Sequence, residues 1–195
     1  MTVSETQSLE AIRAAIPPYA ADLGLNLGAV LTPAGAPALT EKQIWSVALA
    51  AAIAARNVEF AQRIEALARA HLDEAYVTAA RAAAAIMGMN NVYYRFLHLV
   101  EDPQYGTMPA RLRMNVIGRP GIEKTDFELL ALAVSAINGC GTCIVSHERT
   151  LRAQGLPREA IQSAVRIAAT VNAVAGVLEG QQSPAREQAI TGEAA

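Results

Sequence analysis

The chain has 195 residues, 52% of them hydrophobic and 17% charged, and a formal net charge of −2. This composition is enough to bury a core without covalent staples and excludes a disordered polyampholyte. With so little net charge and no Lys/Arg-rich stretch, binding to nucleic acid by charge alone is excluded too.

Alanine is abundant, while β-branched and aromatic residues are sparse, so helices are expected. The weakly charged surfaces that result suit close helix packing and a subunit interface. Residues 1–7 are polar and lack an apolar signal core, so they read as an N-terminal tail on a soluble, cytoplasmic protein. One helical domain is expected over 8–180. Pro and Gly clusters at 33–37, 103–109 and 118–121 punctuate it. Thr40-Glu41-Lys42-Gln43 fits a capping box, a hydroxyl at the N-cap with Gln three residues on, and opens helices over 41–54, 57–70 and 73–90. The alanine-rich stretch 47–55 is about half of the ~20 residues a membrane span needs, so no membrane partner is expected. Residues 105–114 fit a loop or a short helix. Thr125-Asp126-Phe127-Glu128 repeats the capping-box pattern and opens helices over 126–138, 140–153 and 158–178. Residues 181–195, with Ser183-Pro184, read as a C-terminal tail. No strand-like alternation extends far, and the fold class is all-α.

The two capping boxes lie about 85 residues apart, and the same offset sets Leu72-Asp73-Glu74-Ala75-Tyr76 over Pro157-Arg158-Glu159-Ala160-Ile161. The spacing suggests a diverged duplication of a three-helix unit, with pseudo-repeats at 40–92 and 125–177. Ala55 and Val58 then stand in the first half where Cys140 and Cys143 stand in the second.

Those two cysteines are the only ones in the chain. A secreted disulfide framework would spread its cysteines out, so an isolated CxxC reads as redox-active or metal-binding. Asn138-Gly139 tolerates the left-handed conformation that ends a helix, so the next helix starts at the first cysteine. Cys140, Cys143 and His147 then share one helix face, with His147 one turn beyond Cys143. Only a thiolate attacks a disulfide or a peroxide. The helix start favours Cys140 as the ionised thiol through its amide dipoles, whereas His147 favours Cys143, because Cys140 lies ~10 Å from the imidazole along the axis. Glu128 would be ~18 Å from Cys140 on an unbroken helix. If the chain reverses at Asn138-Gly139, Glu128 comes back beside His147 and a relay Glu128–His147–Cys143 is open to it. Its other reading is the capping role.

Plainer readings stand beside these. The cysteines could be small buried hydrophobes at a helix contact, or two of the four ligands of a zinc site completed by His147 and Glu128. His147 could be a core histidine. His71 and His98 read as structural or surface residues, Trp45, Tyr93, Tyr94 and Phe96 as core or interface. Asn90-Asn91 and Arg95 read as buttresses of a subunit contact, and Arg149 and Arg152 as solvated charges.

The strings Met87-Gly88-Met89-Asn90-Asn91-Val92-Tyr93-Tyr94-Arg95, Arg113-Met114-Asn115-Val116-Ile117, Pro120-Gly121-Ile122, Phe127-Glu128-Leu129 and Ser135-Ala136-Ile137-Asn138-Gly139-Cys140 resemble the alkyl hydroperoxide reductase AhpD family, from about residue 9 to residue 179. The resemblance implies the helical fold of the carboxymuconolactone decarboxylase superfamily, a homotrimer and a role in peroxide defence. It implies electron flow from dihydrolipoamide on a lipoylated acyltransferase, kept reduced by dihydrolipoamide dehydrogenase, to the peroxiredoxin AhpC, with weak hydroperoxide reduction by the protein itself and no tightly bound cofactor or metal. It assigns Cys143 as the attacking cysteine, Cys140 as proton donor and resolving partner in a Cys140–Cys143 disulfide, and Glu128 and His147 as relay positions. Well-known members carry a histidine just before the second cysteine. Here that residue is Thr142, which hydrogen-bonds but does not titrate near neutral pH. The alternatives are a non-redox decarboxylase-like enzyme on the same scaffold and a metal-binding or assembly protein.

Overall fold

A computed structural model describes the backbone of residues 8–191 and the side chains of residues 8–181. The expected tail at 1–7 lies outside the described residues, as do 192–195 and the side chains from 182 onward. The helices in order are α1 (Leu9–Ala14), α2 (Ala21–Val30), α3 (Glu41–Ala54), α4 (Val58–Ala68), α5 (Glu74–Leu99), α6 (Pro103–Thr107), α7 (Asn115–Gly118), α8 (Lys124–Ile137), α9 (Gly141–Ala153) and α10 (Arg158–Thr191). No strand occurs among the described residues. The triplets α3–α5 and α8–α10 share order and spacing, as the offset in the sequence suggests; this does not establish a duplication.

Helices α3 and α8 form the centre. Every residue from Ile44 to Ala52 is buried, and so are Phe127 and every residue from Leu129 to Ser135. A helix buried on all sides needs apolar residues all round, and alanine lets its neighbours approach closely. Helix α3 packs on α4, α5, α8 and α10, and α8 packs on α3, α5, α9 and α10. Each fully buried leucine, such as Leu49, Leu130 or Leu132, contributes about 1.5–3 kcal/mol by leaving water. On the outside, α2 covers α10 and α1 packs on α2. By length and composition alone, α10 over Arg158–Gln181 could cross a membrane, but half of its most apolar window is buried inside the bundle, as in a core helix. Its backbone is helical to Thr191, beyond the end expected at 178.

The first capping box is formed: Gln43 N donates to Thr40 Oγ1 at 3.2 Å, and Gln43 Oε1 accepts from Thr40 N at 2.9 Å. The second is not. Helix α8 starts at Lys124, its N-cap is Glu123, and the Glu123 side chain makes no capping hydrogen bond. Thr125 and Glu128 therefore lie inside the helix, which frees the Glu128 carboxylate. Asp126 is instead a tie between helices, accepting from Gln43 Nε2 at 2.7 Å and from the Tyr76 hydroxyl at 2.6 Å. Burial, and then the Asp126 carboxylate, raise the Tyr76 pKa and keep its phenol a donor.

Candidate active site

Helix α8 ends where the sequence places its break. Gly139 has φ +67°, the left-handed region a glycine enters without cost. Cys140 N donates to Ser135 O at 3.1 Å and Gly139 N to Ala136 O at 3.2 Å, which is the Schellman pattern that satisfies the last carbonyls of a helix. Cys140 is then the N-cap of α9, and its sulfur accepts from Cys143 N at 3.4 Å.

A second set of bonds clamps this turn to α5. Asn91, wholly buried, donates from Nδ2 to Ser135 Oγ at 2.9 Å and accepts at Oδ1 from Asn138 Nδ2 at 3.0 Å. Arg95 donates to Asn138 O at 2.6 Å. The sequence pattern reads Asn90, Asn91 and Arg95 as buttresses of a subunit contact. The two asparagines are buried within this chain, and Arg95 reaches across from α5 to the α8–α9 turn. Asparagine mid-helix competes with the backbone for hydrogen bonds, so it suits a place where a tertiary partner takes its amide.

The two cysteines are joined as a disulfide with Cα atoms 5.3 Å apart. They differ in access. Cys140 is completely buried, whereas Cys143 is 7% exposed and lines a cleft of ≈ 380 Å³ together with Thr142, Ser146, His147 and Thr150 of α9, Glu128 of α8, and Met87, Asn90 and Tyr94 of α5. Met114 and Ile117, beside and within α7, close the apolar side. Of the two cysteines, it is Cys143 that lines the cleft.

His147 and Glu128 meet across the hairpin of α8 and α9. Their His147 Nδ1 to Glu128 Oε2 distance is 2.7 Å, although they lie 19 residues apart; on one continuous helix that separation would be about 28 Å. Their side chains are 12% and 17% exposed, so the pair is partly shielded from solvent. The carboxylate fixes the imidazole by its Nδ1 edge. Cys143, one turn back on α9, lines the same cleft. The sequence-derived constellation is therefore brought together, and the capping reading of Glu128 is replaced by its contact with His147.

Among the described residues, no group of three or more His, Cys, Asp or Glu side chains could hold a metal ion. His71 stacks on Trp45 at 4.8 Å between ring centroids and faces Glu41 at 3.3 Å, away from the cysteines. Arg152 donates to Leu156 O at the end of α9, so it is less free than its sequence reading held. Tyr94, Met114 and Ile117 line the cleft without any local signal in the sequence that marks them for it. The strings around them were visible, but nothing local told that they converge.

The chain is similar along its length to proteins of known family. The carboxymuconolactone decarboxylase family matches residues 103–180. The alkyl hydroperoxide reductase AhpD of Rhodospirillum centenum is 54% identical over 188 residues, covering 96% of this chain and 100% of that protein. Proteins of the same name from Streptomyces avermitilis and Gluconacetobacter diazotrophicus are 52% and 54% identical, over 89% of this chain and 97% and 93% of their own lengths.

Proposed function

The chain belongs to the alkyl hydroperoxide reductase AhpD family, and from that premise we propose that it is a dithiol peroxidase and disulfide reductase acting through Cys143 and Cys140. The observation that carries this reading is a disulfide with one sulfur buried and the other on a cleft that also holds a His–Glu pair.

In the reduced protein, His147 takes the Cys143 proton and Glu128 stabilises the imidazolium. The Cys143 thiolate attacks the terminal oxygen of a hydroperoxide; the S–O bond forms as the O–O bond breaks, and the departing alkoxide takes the proton from His147 to leave as an alcohol. Cys140 then attacks the Cys143 sulfenic acid, water leaves, and the disulfide closes. A dihydrolipoyl thiolate opens that disulfide at Cys143, the accessible sulfur, and Cys140 departs as the leaving thiolate. The second lipoyl thiol attacks the mixed disulfide, so the lipoyl group leaves oxidised and the protein returns reduced. Reduction of an AhpC-type peroxiredoxin uses the same surface: Cys143 attacks the peroxiredoxin disulfide and Cys140 resolves the mixed disulfide. Thr142, on the cleft where the family resemblance implies a histidine, leaves the relay with a single imidazole.

The donor is dihydrolipoamide on an acyltransferase served by dihydrolipoamide dehydrogenase, the assembly is a homotrimer, and the compartment is the cytoplasm. Exposed apolar residues on and beyond the end of α5, including Val92, Phe96, Leu99 and Met108, support a subunit contact there. No metal or tightly bound cofactor enters the cycle. A reconstituted assay tests the reading: NADH, dihydrolipoamide dehydrogenase, lipoamide and this protein should consume cumene hydroperoxide, and a peroxiredoxin should increase the flux. NADH oxidation that does not depend on Cys143 would overturn it. A Cys140→Ala/Cys143→Ala variant fully active on a carboxymuconolactone would favour the decarboxylase alternative.

A further inference from the structure

Asn90 is 4% exposed and lines the cleft beside Cys143. Its Oδ1 is buried and has no hydrogen-bond partner among the described residues. A buried acceptor without a donor bears the full desolvation of the group, and asparagine inside a helix adds poor propensity. Its neighbour shows the contrast. Asn91 uses both ends of its carboxamide to hold the α8–α9 turn, so the structural work at this point of α5 is already done. A buried polar atom of this kind, on the wall of a reaction cleft, is explained by a donor that arrives with the ligand.

Resting on the peroxidase reading above, we propose that Asn90 Oδ1 accepts the O–H of the hydroperoxide and so presents its terminal oxygen to Cys143. A hydroperoxide has a single donor, and it sits on the oxygen the thiolate attacks. Met87, Met114 and Ile117 give its organic remainder an apolar wall. As the S–O bond forms and the O–O bond breaks, the hydrogen held by Asn90 stays on the oxygen that becomes part of the Cys143 sulfenic acid. The alkoxide takes its proton from His147. Asn90 transfers nothing; it binds and orients.

Asn90→Leu removes the acceptor and keeps the branching of the side chain, and Asn90→Ala is the second variant should the larger leucine not fit. Three rates are read on each: oxidation of the pre-reduced protein by cumene hydroperoxide, reduction of the disulfide by dihydrolipoamide, and the pH profile of alkylation by iodoacetamide. The expected result is about a tenfold slower peroxide step, the worth of one well-placed hydrogen bond, with the other two readouts within about twofold and the urea midpoint of Asn90→Leu not lowered. An unchanged peroxide step, a parallel loss in all three readouts, or a loss confined to dihydrolipoamide would overturn the assignment. A parent protein that hydroperoxide does not oxidise would sink the peroxidase reading itself, a separate failure.

Discussion

Glu128→Gln isolates the electrostatic part of the relay, because glutamine keeps the shape and removes the charge. In the parent, Glu128 Oε2 lies 2.7 Å from His147 Nδ1. A hydrogen bond to a charged group is worth about 1.5–3 kcal/mol and a neutral one about 0.5–1.5 kcal/mol. Their difference, roughly 1–1.5 kcal/mol, is expressed when His147 carries the Cys143 proton. At about 1.4 kcal/mol per tenfold in rate, oxidation of Cys143 should slow by about tenfold. His147→Gln removes the proton acceptor and should cost about a hundredfold or more. Because Glu128 acts through His147, the double variant should be no slower than His147→Gln alone. The assay is rapid-quench mixing of pre-reduced protein with cumene hydroperoxide, with the remaining thiols trapped by N-ethylmaleimide and counted by mass. A Glu128→Gln protein that reacts at the parent rate, or losses that simply add in the double variant, would refute the relay.

Two further predictions concern the scaffold. Asn91→Leu strands the Ser135 hydroxyl and the Asn138 amide that Asn91 now satisfies, and should cost about 2–4 kcal/mol in urea denaturation; a loss under about 1 kcal/mol would show that the clamp is not what holds the turn. Glu65 accepts from Arg69 Nη2 and Arg81 Nη2, each at 2.8 Å. Burial pushes its pKa up, but the hydrogen bonds and charges of Arg69 and Arg81 outweigh that and leave it below the ordinary 4.5. A depressed carboxylate stabilises the fold above its unfolded pKa and stops doing so as pH falls through the lower folded value. Glu65→Gln should therefore lose about 1 kcal/mol at pH 7, a small figure because the cluster is solvent-screened, with the gap closing as pH falls below the ordinary 4.5. A gap of equal size at pH 3 would contradict the electrostatic origin.

What the sequence made legible was what local spacing encodes. Cys140, Cys143 and His147 share a helix face at any helix start near Cys140, and Gly139 supplies the left-handed residue that reverses the chain. From those two facts the meeting of Glu128 with His147 follows. The capping pattern of Thr125 and Glu128 points to a later start than the observed one at Lys124, because threonine is favoured at an N-cap and here stands inside the helix. The role of Asn91 was hidden because its partners, Ser135 and Asn138, are 44 and 47 residues away. Met114 and Ile117 were hidden for the same reason, since a cleft wall built from α5, α7, α8 and α9 exists only once those helices pack.

The central claim, that Cys143 is the sulfur that attacks, is tested most directly by trapping its sulfenic acid. Cys140→Ser protein, pre-reduced and treated with one equivalent of cumene hydroperoxide in the presence of dimedone, should carry the adduct on Cys143, as peptide mass mapping would read. Cys143→Ser treated in the same way should carry none. Label on Cys140 in Cys143→Ser, with peroxide still consumed at the parent rate, would contradict it.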